Sequence, residues 1–283
     1  MAEYQPGRSP KERTFQGGAC YSDVTNLEKV NIGTSGFSYK DWLGNFYPQF
    51  CPPADFLRFY ASRFKTVEID STFYRIPAES TVLKWAENTG DGFKFTAKFP
   101  QAVTHEGDLA ERVDSANRFV HVMKLLGDKL GPLLLQFPYG FKADQAPLLT
   151  GLISSLPSDV QISVELRHRG WLDNEAIFES FRERNIAFCL IDHPWMPRSK
   201  ITTADFVYVR LLGDRRKIES DFSYVRADRE EDLTWWHELV RQYADQGKDI
   251  YVYFNNHYTG HSPTSACRFL QMLDSDHGFK DGT

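Results

Sequence analysis

Cysteine is scarce in this chain, with four in 283 residues, at positions 20, 51, 189 and 267. No two of them form a C-x-x-C pair, so neither a zinc motif nor a dithiol redox motif is written into the sequence. So low a content fits a reducing compartment. Long apolar runs are missing as well: none approaches the roughly 18–20 residues that a membrane-spanning helix needs. The N-terminus lacks the apolar stretch of a secretory signal. The expectation is a soluble, cytoplasmic protein with no membrane partner. Positive charge is in deficit, 33 Lys and Arg against 38 Asp and Glu, for a formal net charge of −5. That balance excludes a broadly basic nucleic-acid coat but leaves room for a local basic patch. Nucleotide fingerprints are absent too, because Gly33-Thr34-Ser35-Gly36 has neither dinucleotide-binding nor P-loop spacing. No H-x-H or H-E-x-x-H spacing occurs, and no cofactor is assigned.

What is present is ordinary globular composition, 41% hydrophobic and 25% charged, long enough for one large domain. Residues 1–29 are polar and carry Pro6, Gly7, Pro10, Gly17 and Gly18, which reads as a flexible extension. Residues 30–276 form the expected domain, and 277–283 a short tail. Within the domain, eight short apolar runs occupy 30–36, 66–71, 93–98, 133–136, 161–167, 186–192, 206–210 and 249–255. Helical spacing of apolar residues follows most of them: after Pro52-Pro53, then at 80–87, 111–127, 144–156, 174–184, 230–244 and 263–273. Between runs six and seven, His193-Pro194-Trp195-Met196-Pro197 breaks the chain twice, which predicts a loop or a degenerate helix. Alternating strand and helix argues for a parallel sheet. Eight such units in about 250 residues is the size and count of a single (β/α)8 TIM-like barrel.

Side chains alternate along a strand, and in a barrel the outward face packs on helices. Val67 and Ile69 then face out while Thr66, Glu68 and Asp70 face in. By the same rule Thr96 and Lys98, Ser163, Glu165 and Arg167, Tyr208 and Arg210, and Tyr251, Tyr253 and Asn255 point inward. Runs four and six are apolar on both faces and define no parity. The run ends predict one ring at the strand C-termini: Ser35, Glu68, Lys98, Gln136, Glu165, Arg167, Asp192, Arg210 and Asn255. Strand C-termini are where barrel enzymes build their sites.

Buried charges need partners. The ring offers acids Glu68, Asp70, Glu165 and Asp192 against Lys98, Arg167 and Arg210. Glu68 and Glu165 are candidates for general acid and base, with loop residue His105 as a proton shuttle. Lys98 is a candidate amine nucleophile if desolvated; beside Glu68 the blander expectation is that it stays protonated and paired. The arginine forks suit carboxylate or phosphate. The familiar barrel glycosidases, with acids on strands four and seven, do not match, since Gln136 and Arg210 stand there. A divalent metal held by His105, His168, His193 and His257 with Glu68, Glu165 and Asp192 is a further reading of the same residues.

The motifs at these strand ends resemble the YecE-like family, catalogued as domain of unknown function 72. They are Ile32-Gly-Thr-Ser-Gly-Phe-Ser-Tyr39 with Trp42 and Phe46-Tyr-Pro48; Val67-Glu-Ile-Asp-Ser-Thr-Phe-Tyr-Arg75; and Phe93-Lys-Phe-Thr-Ala-Lys98 with Thr104-His105. They continue in Leu130-Gly-Pro-Leu-Leu-Leu-Gln-Phe-Pro138, Val164-Glu-Leu-Arg-His-Arg-Gly-Trp171, Val207-Tyr-Val-Arg210 and Val252-Tyr-Phe-Asn-Asn256. The resemblance implies a TIM-barrel-like fold and supplies no reaction. It implies a polar cluster of Glu68, Tyr74, Lys98, His105, Gln136, Glu165, Arg167, Arg210, Asn255 and Asn256. The family often has Asn where this chain has Asp70, and Asn-Ala where it has Ser265-Ala266.

The functional expectation is an enzyme, hydrolase or isomerase in type, acting on a small anionic or polyhydroxylated substrate. Glu68, Lys98, His105 and Glu165 are its catalytic candidates. Tyr74, Gln136, Arg167, Asp192, Arg210, Asn255 and Asn256 are its binding candidates. The alternatives are a phosphodiesterase-like or non-catalytic nucleic-acid binder, motivated by Lys98, Arg167 and Arg210 beside loop aromatics, and a catalytically idle sensor module.

Overall fold

A computed structural model describes residues 28–275. The expected extension (apart from residues 28 and 29) and the expected tail lie outside the described residues. The strands are β1 (Val30–Thr34), β2 (Thr66–Ile69), β3 (Lys94–Lys98), β4 (Leu130–Gln136), β5 (Ile162–Glu165), β6 (Ala187–Phe188), β7 (Leu190–Asp192), β8 (Phe206–Leu211) and β9 (Asp249–Phe254). The helices are α1 (Phe56–Ala61), α2 (Glu79–Glu87), α3 (Gln101–Thr104), α4 (Leu109–Met123), α5 (Ala146–Ser154), α6 (Glu175–Glu183), α7 (Glu230–Asp245), α8 (Asn256–Thr259) and α9 (Ser262–Ser275). Every apolar run has become a strand, and run six is split into β6 and β7 at Cys189.

Local chemistry sets the helix starts. Pro53 opens a short 3-10 turn that leads into α1, a position where a missing N–H costs nothing. Asp108 caps α4 by accepting from the Glu111 N–H, and Glu111 returns the bond to the Asp108 N–H. Asn174 caps α6 through the Ile177 N–H. No helix forms between β7 and β8, as the two prolines of the 193–197 segment predict.

All strand pairs are parallel. They form two sheets, one ordered β1-β9-β8-β7 and the other β2-β3-β4-β5-β6. The fold is therefore mixed α/β with parallel sheets. The expected single closed sheet is not continuous among the described residues. The edges meet at two seams. At the first, a Ser35–Glu68 bridge joins the ends of β1 and β2, with the Gly36 N–H donating to the Glu68 carbonyl at 2.7 Å. At the second, Cys189 alone separates β6 from β7, and its N–H donates to the Val164 carbonyl. Gly33 explains the first seam: a Cβ there would lie 2.2 Å from the Thr66 carbonyl oxygen, so only glycine lets the two strands run so close.

Two apolar layers follow from strand alternation. The larger packs outward-facing residues such as Val67, Ile69, Phe95, Leu133, Leu135, Val164, Val209 and Val252 against helix residues such as Phe119, Leu152 and Trp236. The smaller, enclosed by the sheets, contains Leu134, Ala187, Cys189, Ile191, Phe206, Tyr208, Tyr251 and Tyr253. Above it, toward the strand C-termini, the interior turns polar. No described helix is long and apolar enough to cross a membrane.

Candidate functional site

Glu68 at the end of β2, Glu165 at the end of β5 and Arg210 on β8 are all buried, at 0%, 0% and 4% exposure. Their burial is tolerable because they satisfy one another. Arg210 donates through Nη2 to Glu68 Oε1 at 2.8 Å and through Nη1 to Glu165 Oε2 at 2.5 Å. Tyr208, two residues earlier on the same face of β8, donates its hydroxyl to Glu68 Oε2 at 2.8 Å. Arg167 Nε donates to Glu165 Oε1 at 2.5 Å. Each carboxylate thus has both oxygens engaged, the condition under which interior charge is stable. Lower in the same interior, the Tyr208 and Thr96 hydroxyls lie 3.0 Å apart, and those of Tyr253 and Thr66 2.6 Å apart.

This pairing decides which groups can move protons. Burial pushes the Glu165 carboxyl up, but the charges of Arg167 and Arg210 and their hydrogen bonds outweigh it and hold the group down at about 2. Glu165 is therefore a fixed anion at neutral pH and has no proton to give. Lys98 is in the opposite situation. Its Nζ lies 3.7 Å from the centre of the Phe73 ring. Among the described residues it has no hydrogen bond and no ion pair, because Arg210 and Arg167 occupy the carboxylates. The expected pairing of Lys98 with Glu68 does not form. Burial, followed by the repulsion of Arg210, lowers the Lys98 amine to about 7, against a weaker opposing pull from Glu165 and Glu68.

Asp70 completes this half of the mouth. β2 ends at Ile69, which pairs with Ala97, and Asp70 is the first residue past the strand, with the Tyr39 hydroxyl donating to its Oδ2 at 3.5 Å. The Thr72 hydroxyl ties the two strand ends together, donating to the carbonyls of Ile69 (2.9 Å) and Lys98 (2.6 Å). No cation lies within ion-pair distance of Asp70 among the described residues. Burial and the neighbouring Glu68 raise its carboxyl, opposed by Arg210 and Lys98. His105 lies on the rim, exposed, edge-on to Phe73 at 5.2 Å, with Nδ1 2.7 Å from the Thr104 hydroxyl. Partial burial, then Lys98, Arg167 and Arg112, lower it to about 4, so it is a neutral imidazole at pH 7.

The remaining candidates divide. Gln136, beside Glu165 in register, is buried and donates Nε2 to the Phe137 carbonyl, leaving its side-chain oxygen open. The Arg167 terminal nitrogens make no hydrogen bond among the described residues. The Ser35 hydroxyl and Arg210 Nε are buried and unpartnered. Tyr74 is 77% exposed and meets Phe73 edge-on, a rim residue rather than a member of the cluster. Asn255 spends its side-chain oxygen capping α8 through the His257 N–H. Asn256 is buried, and its oxygen accepts from Trp42 Nε1, the Ser262 N–H and the Ser262 hydroxyl, while its Nδ2 has no hydrogen-bond partner among the described residues.

Asp192 is corrected. It faces outward, accepting from Trp236 Nε1 of α7 at 2.7 Å and from Arg198 at 3.1 Å. Cys189 and Ile191 take the interior positions of its segment instead. Because run six is apolar on both faces, the sequence held no alternation to reveal this. No set of three or more His, Cys, Asp or Glu side chains converges as metal ligands among the described residues. His168 is turned to the Gly170 N–H, His193 to the Trp195 N–H and His257 to the Ile218 carbonyl. Phe73 and Tyr208 were not singled out as site residues. The first gave no signal beyond its place in an aromatic loop; the second was legible from its inward parity.

The fold and mouth together define a parallel α/β protein with a polar cluster at its strand C-termini. The family model "Protein of unknown function DUF72" matches residues 31–281, and the chain belongs to that family. The UPF0759 protein YecE of Escherichia coli K12 is 36% identical over 109 residues, 38% of this chain and 40% of YecE, so the match spans about two fifths of that relative. The UPF0759 protein YunF of Bacillus subtilis 168 is 24% identical over 279 residues, 88% of this chain and 96% of YunF. Among solved structures, a DUF72 family protein of Thermotoga maritima is similar at TM-score 0.73 and 32% identity, covering 87% of this chain and 99% of that one. A DUF72 protein of Enterococcus faecalis, at 21% identity, TM-score 0.73 and 87% and 95% coverage, shows the shared fold.

Proposed function

We propose that this protein is an enzyme acting on a small, anionic, polyhydroxylated substrate, with the neutral amine of Lys98 as the base that takes a proton from it. The reading rests on one observation above the rest: Lys98 stands on the Phe73 ring without a carboxylate partner while its acidic neighbours are bound by arginine. A base titrating near the working pH is the effective kind. The open nitrogens of Arg167 receive the anion, and the side-chain oxygen of Gln136 accepts from a substrate hydroxyl. Glutamate-driven hydrolysis is disfavoured, because a carboxylate held near 2 cannot serve as general acid. An isomerase-type proton transfer fits better. In this proposal the two sheets work as one TIM-like cylinder, joined at the Ser35–Glu68 and Cys189 seams, in a cytoplasmic protein.

The test is solvent deuterium exchange. A panel of sugar phosphates and hydroxy acids is incubated with the protein in D2O and followed by NMR. Exchange at a carbon next to a carbonyl is expected with the wild type and not with Lys98→Met; exchange that survives this substitution sinks the assignment.

A nucleic-acid ligand is a second reading, favoured by the exposed aromatics Tyr74, Tyr139 and Trp195. It requires oligonucleotide binding that weakens steeply with salt. No binding at low salt would dismiss it.

A further inference from the structure

We infer that Lys98 acts as a covalent nucleophile, forming an imine with the aldehyde or ketone carbon of a small substrate whose acidic group is held by Arg167. This rests on the reading of the mouth as an enzyme site and names the functional group its substrate carries.

Three features of geometry support it. The first is desolvation of the nucleophile on one side. With Nζ 3.7 Å from the Phe73 ring centre, that face of the amine meets carbon rather than water. The second is the absence of an anion that would hold it protonated. The four oxygens of Glu68 and Glu165 are taken by Arg210, Arg167 and Tyr208. The third is an acid at hand. Asp70 directly follows the last residue of β2, and the Thr72 hydroxyl ties that end of β2 to the Lys98 carbonyl of β3. The lowered amine and the upward direction of the Asp70 carboxyl agree with this arrangement. A paired lysine would show the reverse.

The step balances as follows. The Nζ lone pair attacks the carbonyl carbon, a C–N bond forms, and the C=O π electrons move to oxygen. A proton passes from nitrogen to that oxygen, giving the neutral carbinolamine. Asp70, as the carboxylic acid, protonates the hydroxyl; the C–O bond breaks and water leaves as the nitrogen lone pair closes the C=N bond. The products are a protonated imine, one water and the Asp70 carboxylate. The pull of the new cation on electrons eases loss of a proton from the neighbouring carbon. No oxidant or second substrate is needed.

The experiment uses the full chain with two probes, glyoxylate (an anionic aldehyde) and glycolaldehyde (a neutral one), each with sodium cyanoborohydride at pH 7. Peptide mass mapping locates the reduced adducts. Glyoxylate is expected on Lys98 at least about a hundredfold faster than on ordinary surface lysines, since an amine titrating near 7 is about half unprotonated at this pH where a normal one is almost wholly protonated. Arg167→Gln should bring glyoxylate labelling down toward the glycolaldehyde rate, and Asp70→Asn should slow both probes without moving the adduct. Labelling spread evenly over the lysines, or a protected Lys98, overturns the imine. Lys98→Arg serves as the blank for the adduct mass, and the Asp70 and Arg167 variants keep the test decisive if that chain does not fold. If deuterium exchange depends on Lys98 but no reducible adduct forms, the imine is wrong and the proton-transfer reading stands. If the adduct forms and no exchange occurs, the imine stands and the proton-transfer reading falls.

Discussion

The two sides of the mouth carry the same kinds of residue and put them to opposite uses. On the β5–β8 side, Glu165, Arg167 and Arg210 close into a hydrogen-bonded unit that reaches across to Glu68. On the β2–β3 side, neither Lys98 nor Asp70 makes an ion pair among the described residues. Arginine explains the difference. Its planar fork satisfies two carboxylates at once, whereas an ammonium carries a single point of charge and loses its proton when solvation is withdrawn. The locked side supplies a rigid floor; the open side retains groups that change protonation. Sites of this kind need both, since a proton carrier works only when its surroundings hold it in place.

That contrast can be broken most severely at the locked side. Arg210→Leu leaves two buried carboxylates without their shared partner, and about 3–5 kcal/mol of stability should be lost in denaturant unfolding. A loss under about 1 kcal/mol would mean that the floor is not held by this pair. Tyr208→Phe removes one donor to Glu68 and should cost about 1–3 kcal/mol. Asp192→Ala strips the Trp236 N–H of its acceptor on the outer layer and should cost a similar 1–3 kcal/mol or so, without altering probe labelling at Lys98. A change in that labelling would place Asp192 inside the mouth after all.

Acid sharpens the same comparison. The Glu165 carboxyl titrates lower in the folded protein than the roughly 4.3 expected of an unfolded glutamate. Its contribution is therefore fully present above that value and is lost as pH falls through about 2. Acid unfolding should lose that part of its slope in Glu165→Gln. Lys98 has the opposite sign. The folded chain releases this proton near 7 and the unfolded chain near about 10.4, so the unfolded state binds more protons between them and stability rises with pH across that window. In Lys98→Met the rise should disappear, and stability at neutral pH should increase because the cost of the buried amine is removed. A flat wild-type profile would show that Lys98 is an ordinary paired lysine.

Much of this site was legible before any coordinates. Alternation in 66–70, 93–98, 161–167 and 206–210 placed Glu68, Lys98, Glu165 and Arg210 on one inner face, and all four meet at the mouth. Asp192 was misplaced because its run offers apolar residues to both faces. Asn256 enters through the family motif alone, and its three donors, one from Trp42 and two from Ser262, are not visible in sequence. The helices were legible from their spacing, and the short α3 and α8 were not, since four residues are too few to show a period.

The sequence by itself determined which runs are strand and, where polar and apolar residues alternate, which face each side chain takes, because those follow from local backbone geometry and from the contrast between neighbours. Only the tertiary structure decided who pairs with whom. Whether Arg210 or Lys98 takes the carboxylates depends on reach across an interior built from strands up to 142 residues apart. That choice fixes one glutamate as a permanent anion and leaves one lysine free to act.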